Sequence, residues 1–146
     1  MVIRDMIDTD IETVYWIEQE TFSDPWSKED FQTSSKDKNN HYLVVEMDNN
    51  VIAYCGYWGI AGEGYIYNVA VKEEYRKQKI GYLMLQELIA RGRSQGIKTF
   101  TLEVRCSNEA AIRLYKRLGF VNAGVRKDFY TRPKEDALIM WLDPIQ

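Results

Sequence analysis

The pattern of apolar and polar positions along the chain predicts a succession of helices and strands that begins with two helices. Residues Thr9–Glu12 fit the S/T-x-x-E capping box that opens a helix. The apolar side chains around and beyond it lie on roughly one helical face: Ile11, Val14, Tyr15 and Phe22. After Pro25, Ser27 can cap a second short helix over Lys28–Phe31, and the polar stretch Thr33–Asn40 predicts a surface loop.

Extended segments dominate the next part of the chain. His41–Met47 alternates, a turn rich in Asn and Asp follows, and Val51–Ile60 is aromatic and β-branched, so these two segments predict an antiparallel hairpin. Tyr65–Val71 predicts a largely buried strand, and an additional short strand is expected at Ile3.

The remaining pattern predicts helix, strand, helix and two strands. A helix is expected from about Ile80 to Arg93, and a strand over Lys98–Val104. The next helix can be capped by Ser107-Asn108 and stopped by Gly119. Its apolar stripe is Ala111, Leu114, Tyr115 and Leu118, and the last strands lie near Phe120–Lys127 and Ala137–Leu142. Together these elements predict a mixed α/β sheet with helices covering its faces.

Composition narrows the class of protein. The 146 residues suit one domain spanning 1–146, and 45% hydrophobic with 28% charged residues is ordinary globular usage. A net charge of −3 argues against non-specific nucleic-acid binding, which depends on Lys and Arg. No apolar run approaches the roughly 20 residues that span a bilayer. Polar residues also interrupt the first positions, unlike a signal peptide, so we expect a cytoplasmic protein without membrane contact.

Cysteine and histidine are too sparse to suggest a metal or redox site. Cys55 and Cys106 form no CxxC pair, so we expect two free thiols and no metal. His41 is the only histidine and is interpreted as a strand-end residue rather than a catalytic group.

A basic turn between a predicted strand and a predicted helix is the first candidate site. Arg76, Lys77 and Lys79 lie just before the helix that starts near Ile80, in an otherwise acidic protein. The free amides and dipole of a helix N-terminus favour an anion such as phosphate. Taken alone, the segment is equally well explained as a solvated basic turn.

Two segments resemble the GNAT superfamily of acyl-CoA-dependent N-acetyltransferases. Arg76–Gly81 is similar to its R/Q-x-x-G-x-G/A pyrophosphate loop, and Asn108–Phe120 to its N-x-x-A-x-x-L-Y-x-x-x-G-F signature. Further segments resemble the branch that acetylates the N-terminal alanine of a small-subunit ribosomal protein: Phe22–Ser27, Leu102–Arg105, Ser107-Asn108, and Phe129-Tyr130 followed by Pro133–Ala137 and Met140. The resemblance covers nearly the whole chain and implies the family's fold, a mixed, mostly antiparallel twisted sheet of about six to seven strands with helices on both faces.

One position departs from the family pattern. Lys79 stands where the loop has a glycine, and Lys77 fills a variable position that is often glycine. Glycine permits close approach to phosphates and unusual φ/ψ angles, so a lysine must find allowed dihedrals or the loop must shift. Its ammonium could compensate as a point charge on a phosphate.

The resemblance implies roles for two side chains in acetyl transfer to an amine. Glu103 is the implied general base, acting directly or through water, and its alternative is a surface carboxylate. Tyr115 is the implied acid that protonates the departing thiolate of coenzyme A, although a core tyrosine would occupy the same helical stripe. Asn108 resembles the residue that binds the pantetheine chain, and it can also be the helix N-cap.

The resemblance also implies where the two substrates bind. Backbone groups of Val69 and Val71 would hold the acetyl carbonyl and pantetheine of acetyl-CoA. Backbone amides of the loop would bind its pyrophosphate: Arg76, Lys77, Gln78, Lys79, Ile80 and Gly81. The second substrate implied is the N-terminal peptide of a protein, expected to be a ribosomal protein. It would lie between Pro25-Trp26 and Phe129-Tyr130, and the alternative for these aromatic residues is packing.

Three classes of function stay open on this reasoning. The first is a peptide α-amine acetyltransferase acting as a monomer or weak dimer. The second is an acetyltransferase for other protein N-termini, lysines or small amines. The third is a non-catalytic acyl-CoA-binding module, which the altered loop keeps in consideration. A dinucleotide enzyme is not supported, because Gly62-Glu63-Gly64 lacks the third glycine and the helix that follows it.

Overall fold

A seven-stranded sheet with four α-helices forms the structure, a computed structural model that describes residues 1–143. The elements in chain order are β1 (Val2–Asp5), α1 (Ile11–Thr21), α2 (Lys28–Ser35), β2 (Asn40–Met47), β3 (Asn50–Ile60), β4 (Glu63–Val71), α3 (Ile80–Ser94), β5 (Thr99–Arg105), α4 (Glu109–Arg117), β6 (Val121–Thr131) and β7 (Lys134–Leu142). The strand order is β1-β2-β3-β4-β5-β7-β6, and only β4 and β5 run parallel. The predicted mixed, mostly antiparallel sheet is therefore confirmed. The last three positions of the predicted domain, 144–146, lie outside the described residues.

The sheet buries apolar side chains on both faces because successive strand residues point to opposite sides. On β2, Leu43 and Val45 join the core beneath α3 and α4, whereas Val44 joins the core beneath α1 and α2. Helices therefore cover both faces, as predicted. In the range 1–143, none of the helices has the length and apolar character that crossing a membrane requires.

The start of α2 confirms one predicted cap, and the start of α1 corrects another. Ser27 accepts a hydrogen bond from the Asp30 amide at 3.1 Å, and Asp30 accepts one from the Ser27 amide at 3.0 Å. At α1 the predicted capping box is wrong. A 3-10 turn over Asp8–Asp10 precedes the helix, and Asp10 accepts a hydrogen bond from the Ile7 amide at 2.8 Å. Asp10 also pairs with Arg4 of β1 at 2.8 Å, six residues earlier and beyond the span of a helix-capping motif.

The buried face of α1 also differs from the predicted one. Ile11, Val14 and Ile17 are buried, whereas Tyr15 is only half-buried. Phe22 is 37% exposed because the helix ends at Thr21 and Phe22 is already extended. The predicted loop at Thr33–Asn40 is too long, because α2 continues to Ser35.

The strands agree with the prediction except in their ends. β2 and β3 form the expected antiparallel hairpin, and β1 contains Ile3. β4 starts at Glu63, before the predicted boundary, and it is buried only at Gly64, Ile66 and Ala70 rather than largely buried. β6 and β7 are longer than expected because they pair with each other as far as Thr131 and Lys134.

Candidate active site

The site lies where two neighbouring strands separate. Only the first residues of the two strands pair, Glu63–Tyr65 of β4 with Thr99–Thr101 of β5. Within the described residues, no pairing joins the later parts of these strands. Val69 and Val71 lie on the separated part of β4, and Glu103 lies on that of β5. The separation leaves backbone groups at the facing edges of both strands available to a ligand.

The predicted pyrophosphate loop has left-handed backbone at two lysines, a conformation that usually favours glycine. Lys77 has φ 63° and Lys79 has φ 62°, both in the left-handed region. This region costs a non-glycine residue roughly 1–2 kcal/mol. Both lysines therefore adopt left-handed dihedrals, which glycine would adopt without this cost.

The start of α3 fits an anion. Lys79 is the N-cap residue of α3, and its ammonium cannot accept hydrogen bonds from the first helical amides. Those amides and the helix dipole present positive charge, to which the exposed side chains of Lys77 and Lys79 add. Arg76 has a further structural role, because its Nε donates to the carbonyl oxygen of Val71 at 2.9 Å and closes the turn.

The other predicted loop residues differ in what they expose. Gln78 is exposed, whereas the Ile80 side chain is buried and Gly81 lies against α4, where an added Cβ would meet Leu114 at 3.4 Å. Ile80 and Gly81 can therefore contribute backbone amides and not side chains. This arrangement suits a phosphate-bearing ligand.

Glu103 has a buried carboxylate with an unused acceptor. Its side chain is only 5% exposed, and its Oε2 lies 3.3 Å from Nε of Arg126. That ion pair is not aligned as a hydrogen bond, so Oε2 is a buried oxygen without a hydrogen-bond partner. Desolvation raises the pKa of Glu103, and the nearby Arg126 guanidinium opposes this shift. A buried carboxylate that lacks a donor and has a raised pKa suits a general base.

Tyr115 of α4 lies in the core on the face of the sheet that α3 and α4 cover. Its ring centroid is 5.9 Å from that of Phe120, and the residue is 7% exposed. Desolvation raises its pKa, and Tyr130 and Cys55 raise it further, so the phenol keeps its proton at neutral pH. Desolvation also raises the pKa of Tyr130, and the negative charge of Glu103 raises it further.

Asn108 is confirmed as the N-cap of α4. Its side-chain oxygen accepts from the Ala111 amide at 3.2 Å. Its side-chain NH₂ group can still donate, so the cap does not exclude the predicted contact with pantetheine.

The two predicted peptide-binding segments are joined by polar contacts. Trp26 stacks on Tyr67 with ring centroids 5.5 Å apart, next to half-buried Pro25. On the other segment Phe129 is 41% exposed, and Tyr130 packs against it at 5.0 Å. Asp24 connects the segments by accepting from the Thr131 hydroxyl at 3.1 Å and pairing with Arg132 at 3.5 Å.

Two arginines that sequence reasoning did not assign complete the site. Arg105 packs its guanidinium over the Tyr130 ring at 4.3 Å and donates to the Pro133 carbonyl at 2.9 Å and to Ser23 Oγ at 3.3 Å. The alternation of β5 could have identified Arg105, since it lies two residues from Glu103 and on the same face. No local pattern marks Arg126, which reaches Glu103 from another strand.

Comparisons with known proteins agree on one family. A model of the acetyltransferase (GNAT) family matches residues 11–120. The chain is 39% identical to a candidate ribosomal protein bS18-alanine N-acetyltransferase of Bacillus subtilis, over 96% of this chain and 93% of that protein. It is 36% identical to the ribosomal protein bS18-alanine N-acetyltransferase of Escherichia coli K12, over 92% of this chain and 91% of that protein. The crystal structure of the Escherichia coli ribosomal-protein-S18-alanine N-acetyltransferase superposes with a TM-score of 0.91 at 33% identity, over 99% and 94% of the two chains.

Proposed function

The chain belongs to the acetyltransferase (GNAT) family and is an acetyl-CoA-dependent N-acetyltransferase, and we propose that its acceptor is the N-terminal α-amine of a protein. The most specific form of the proposal is the N-terminal alanine of a small-subunit ribosomal protein. Relatives that match more than nine-tenths of this chain are named for that reaction on bS18, which supports this choice.

The buried, unpartnered Oε2 of Glu103 is the observation that carries the proposal. An amine must lose a proton before it attacks an acyl group, and Glu103 offers an acceptor at the opening between β4 and β5. Because the oxygen is screened from water, a bound amine or an ordered water would be the donor that it lacks.

The proton balance favours an α-amine as substrate. An α-amine has a reference pKa of about 7.7–8.0, so its deprotonation near pH 7 costs about 1 kcal/mol. A lysine side chain, with a pKa of about 10.4, costs about 5 kcal/mol. A single carboxylate is therefore sufficient for an N-terminal amine, whereas a lysine would require a much larger shift.

The remaining residues have complementary tasks in the proposal. Acetyl-CoA supplies the thioester when it is bound. The loop and the start of α3 would bind its phosphates, and Asn108 with backbone groups of Val69 and Val71 would orient its chain. Tyr115 would hold the proton that the thiolate requires. Phe129 and Tyr130 would line the peptide site opposite Pro25 and Trp26.

The acceptor would be a peptide segment rather than a nucleic acid, and the reaction would occur in the cytoplasm. One domain would bind both substrates along the same sheet, as a monomer or weak dimer.

A panel of peptides tests the proposal. Peptides that differ only in the first residue (alanine, serine or methionine) are incubated with acetyl-CoA, and the modified position is mapped by mass spectrometry. A matched peptide with a blocked first residue and an internal lysine is the control. Preference for alanine or serine is expected. Modification only at the internal lysine would refute an α-amine acceptor, and binding of acetyl-CoA without any product would identify a non-catalytic module.

A further inference from the structure

Glu18 in α1 is a buried carboxylate to which the proposed reaction assigns no role. The residue is 2% exposed. Buried Asp10 is neutralised by Arg4 at 2.8 Å, but in the part of the chain that the structure describes no cation pairs with Glu18. Removing a carboxylate from water is unfavourable for folding, and an apolar residue of similar volume would often be as stable or more so. The directional bonds that Glu18 makes are therefore the feature to explain.

Three donors from three parts of the fold converge on this carboxylate. The Trp26 backbone amide donates to Oε2 at 3.0 Å. The side-chain amide of Asn68 donates to Oε1 at 3.1 Å, and the Tyr54 hydroxyl donates to the same oxygen. A carboxylate has two oxygens that accept only, so it can satisfy all three donors at once.

The first of these bonds holds the proposed peptide-binding loop. The neighbouring residue Gln19 donates from its side chain to the Trp26 carbonyl at 3.2 Å. Both backbone polar groups of Trp26 are thus held by consecutive residues of α1. The indole of Trp26 then stacks on Tyr67 of β4.

The second bond holds the strand that is proposed to orient the acetyl group. Asn68 has φ 55° and lies at the irregularity where β4 shifts its register against β3. It directly precedes Val69, so a tether on its side chain restrains the backbone at Val69. A single carboxylate therefore connects the loop at Trp26 with the strand at Val69.

We propose that Glu18 is a positioning residue that sets the distance between the bound peptide and the bound acetyl group. The inference rests on the proposed function, since it assigns the two substrates to these two segments. Reacting atoms must approach closely in the correct orientation, so a small displacement of one segment lowers the rate. Glu18 itself touches neither substrate.

The test compares Glu18→Gln with the matched control Tyr54→Phe. Glutamine keeps the shape of the side chain but has an NH₂ group in place of one oxygen. With its remaining oxygen facing Tyr54 and Asn68, the Trp26 amide loses its acceptor. We expect the KM for an alanine peptide to rise about tenfold, the effect of losing one hydrogen bond to a charged group. The acetyl-CoA Kd should stay within about twofold, because the phosphate loop is untouched. Tyr54→Phe removes a buried hydrogen bond to the same carboxylate. It should lower the Tm and leave the peptide KM and the acetyl-CoA Kd unchanged.

An activity-independent measurement separates the inference from the proposed function. Amide hydrogen exchange at Trp26, followed by NMR, should be slow in the wild type and fast in Glu18→Gln. If the wild type acetylates no α-amine but the amide behaves in this way, the proposed function fails while the anchoring stands. If Glu18→Gln keeps the wild-type peptide KM, or if the Trp26 amide is unprotected in the wild type, the positioning role is refuted.

A second variant covers the case in which Glu18→Gln does not fold. Asn68→Gly removes the tether on β4, and glycine accepts the left-handed φ without strain. We expect kcat to fall about fivefold with the Trp26 amide still protected, because only the strand side is released. An unchanged kcat in this variant would refute the role of Glu18.

Discussion

The loop at Arg76–Gly81 offers backbone groups to a ligand, whereas the region around Glu103 offers a side chain. The loop presents backbone amides at the surface, and its side chains are largely exposed. Around Glu103 the backbone is paired with β7 on one side, and the reactive group is a side chain that is 95% buried. The first region depends on φ/ψ angles, whereas the second depends on the identity of a residue and on what surrounds it.

This difference predicts that lysines at glycine positions leave the anion-binding ability of the loop intact. Lys77 and Lys79 both adopt the left-handed dihedrals that glycine adopts without strain, so we expect the loop's amides to point as they would with glycine there. No such substitution is available at Glu103, because the reaction needs a proton acceptor there and the carboxylate, whose pKa burial raises, is that acceptor. Substitutions at Glu103 should therefore have large effects, and those in the loop small ones.

The largest effect is expected from Glu103→Gln. Loss of the base should lower kcat by about 10³-fold, within the range of general base catalysis. The remaining rate should rise with pH towards the pKa of the substrate amine, because the amine must then lose its proton to water. The measurement is a pH–rate profile with an alanine peptide, with Glu109→Gln on α4 as an exposed-carboxylate control. An unchanged profile would remove Glu103 as the base.

A somewhat smaller effect is expected from Tyr115→Phe. The phenol is buried and its pKa is raised, so the variant removes a proton donor while keeping most of the core packing. Turnover should fall about 10²-fold, with the acetyl-CoA Kd unchanged within about twofold. Steady-state kinetics and calorimetry measure the two quantities. Wild-type turnover would show that the proton comes from another group or from water.

Arg126→Gln should change the pH dependence rather than the maximal rate. Arg126 lowers the pKa of Glu103 against the desolvation that raises it, so its loss leaves the raising effect unopposed. The active form has Glu103 deprotonated, and a higher pKa therefore moves the acidic limb of kcat/KM to higher pH. Arg126→Lys keeps the charge and should keep the limb, as should Lys127→Gln on the same strand. A limb that does not move in Arg126→Gln would contradict this electrostatic role.

The smallest effect is expected from Lys79→Gly. Glycine relieves the left-handed strain but loses more conformational entropy, so the free energy of unfolding should rise by no more than about 1 kcal/mol. Binding of acetyl-CoA should stay within about threefold of the wild-type affinity, because the amides keep their directions. Gln78→Gly is the matched control, since Gln78 is not left-handed and glycine there should destabilise the loop. A large loss of affinity by calorimetry in Lys79→Gly would show that its ammonium binds a phosphate directly.

Local patterns predicted those parts of the fold that local chemistry controls. The cap at Ser27, the cap at Asn108 and the left-handed stop at Gly119 are each confirmed, because a cap involves residues within one turn of the chain. The hairpin of β2 and β3 is confirmed because a short turn joins two strands that are adjacent in the chain. The capping box expected at Thr9 is wrong, because a 3-10 turn comes first and Asp10 takes the N-cap position, where its carboxylate is held by the Ile7 amide and by Arg4 of β1.

Within the candidate site, the motifs located the elements but not their surroundings. They marked Glu103 on a strand and Tyr115 on a helical stripe. They could not reveal that Arg126 of β6 approaches Glu103, because the pairing of β6 with β7 beside β5 is a property of the whole sheet. The same holds for the three donors around Glu18, which come from positions up to 50 residues away.

The sequence by itself determined the order of helices and strands, the family resemblance and the residue types available for catalysis. These depend on periodicity, capping and short motifs, all of which act over a few residues. Only the tertiary structure decided which carboxylate is buried without a donor, which arginine faces it and which segments Glu18 connects. Burial and electrostatic environment depend on residues brought together by the sheet, so they arise only once the strands are paired.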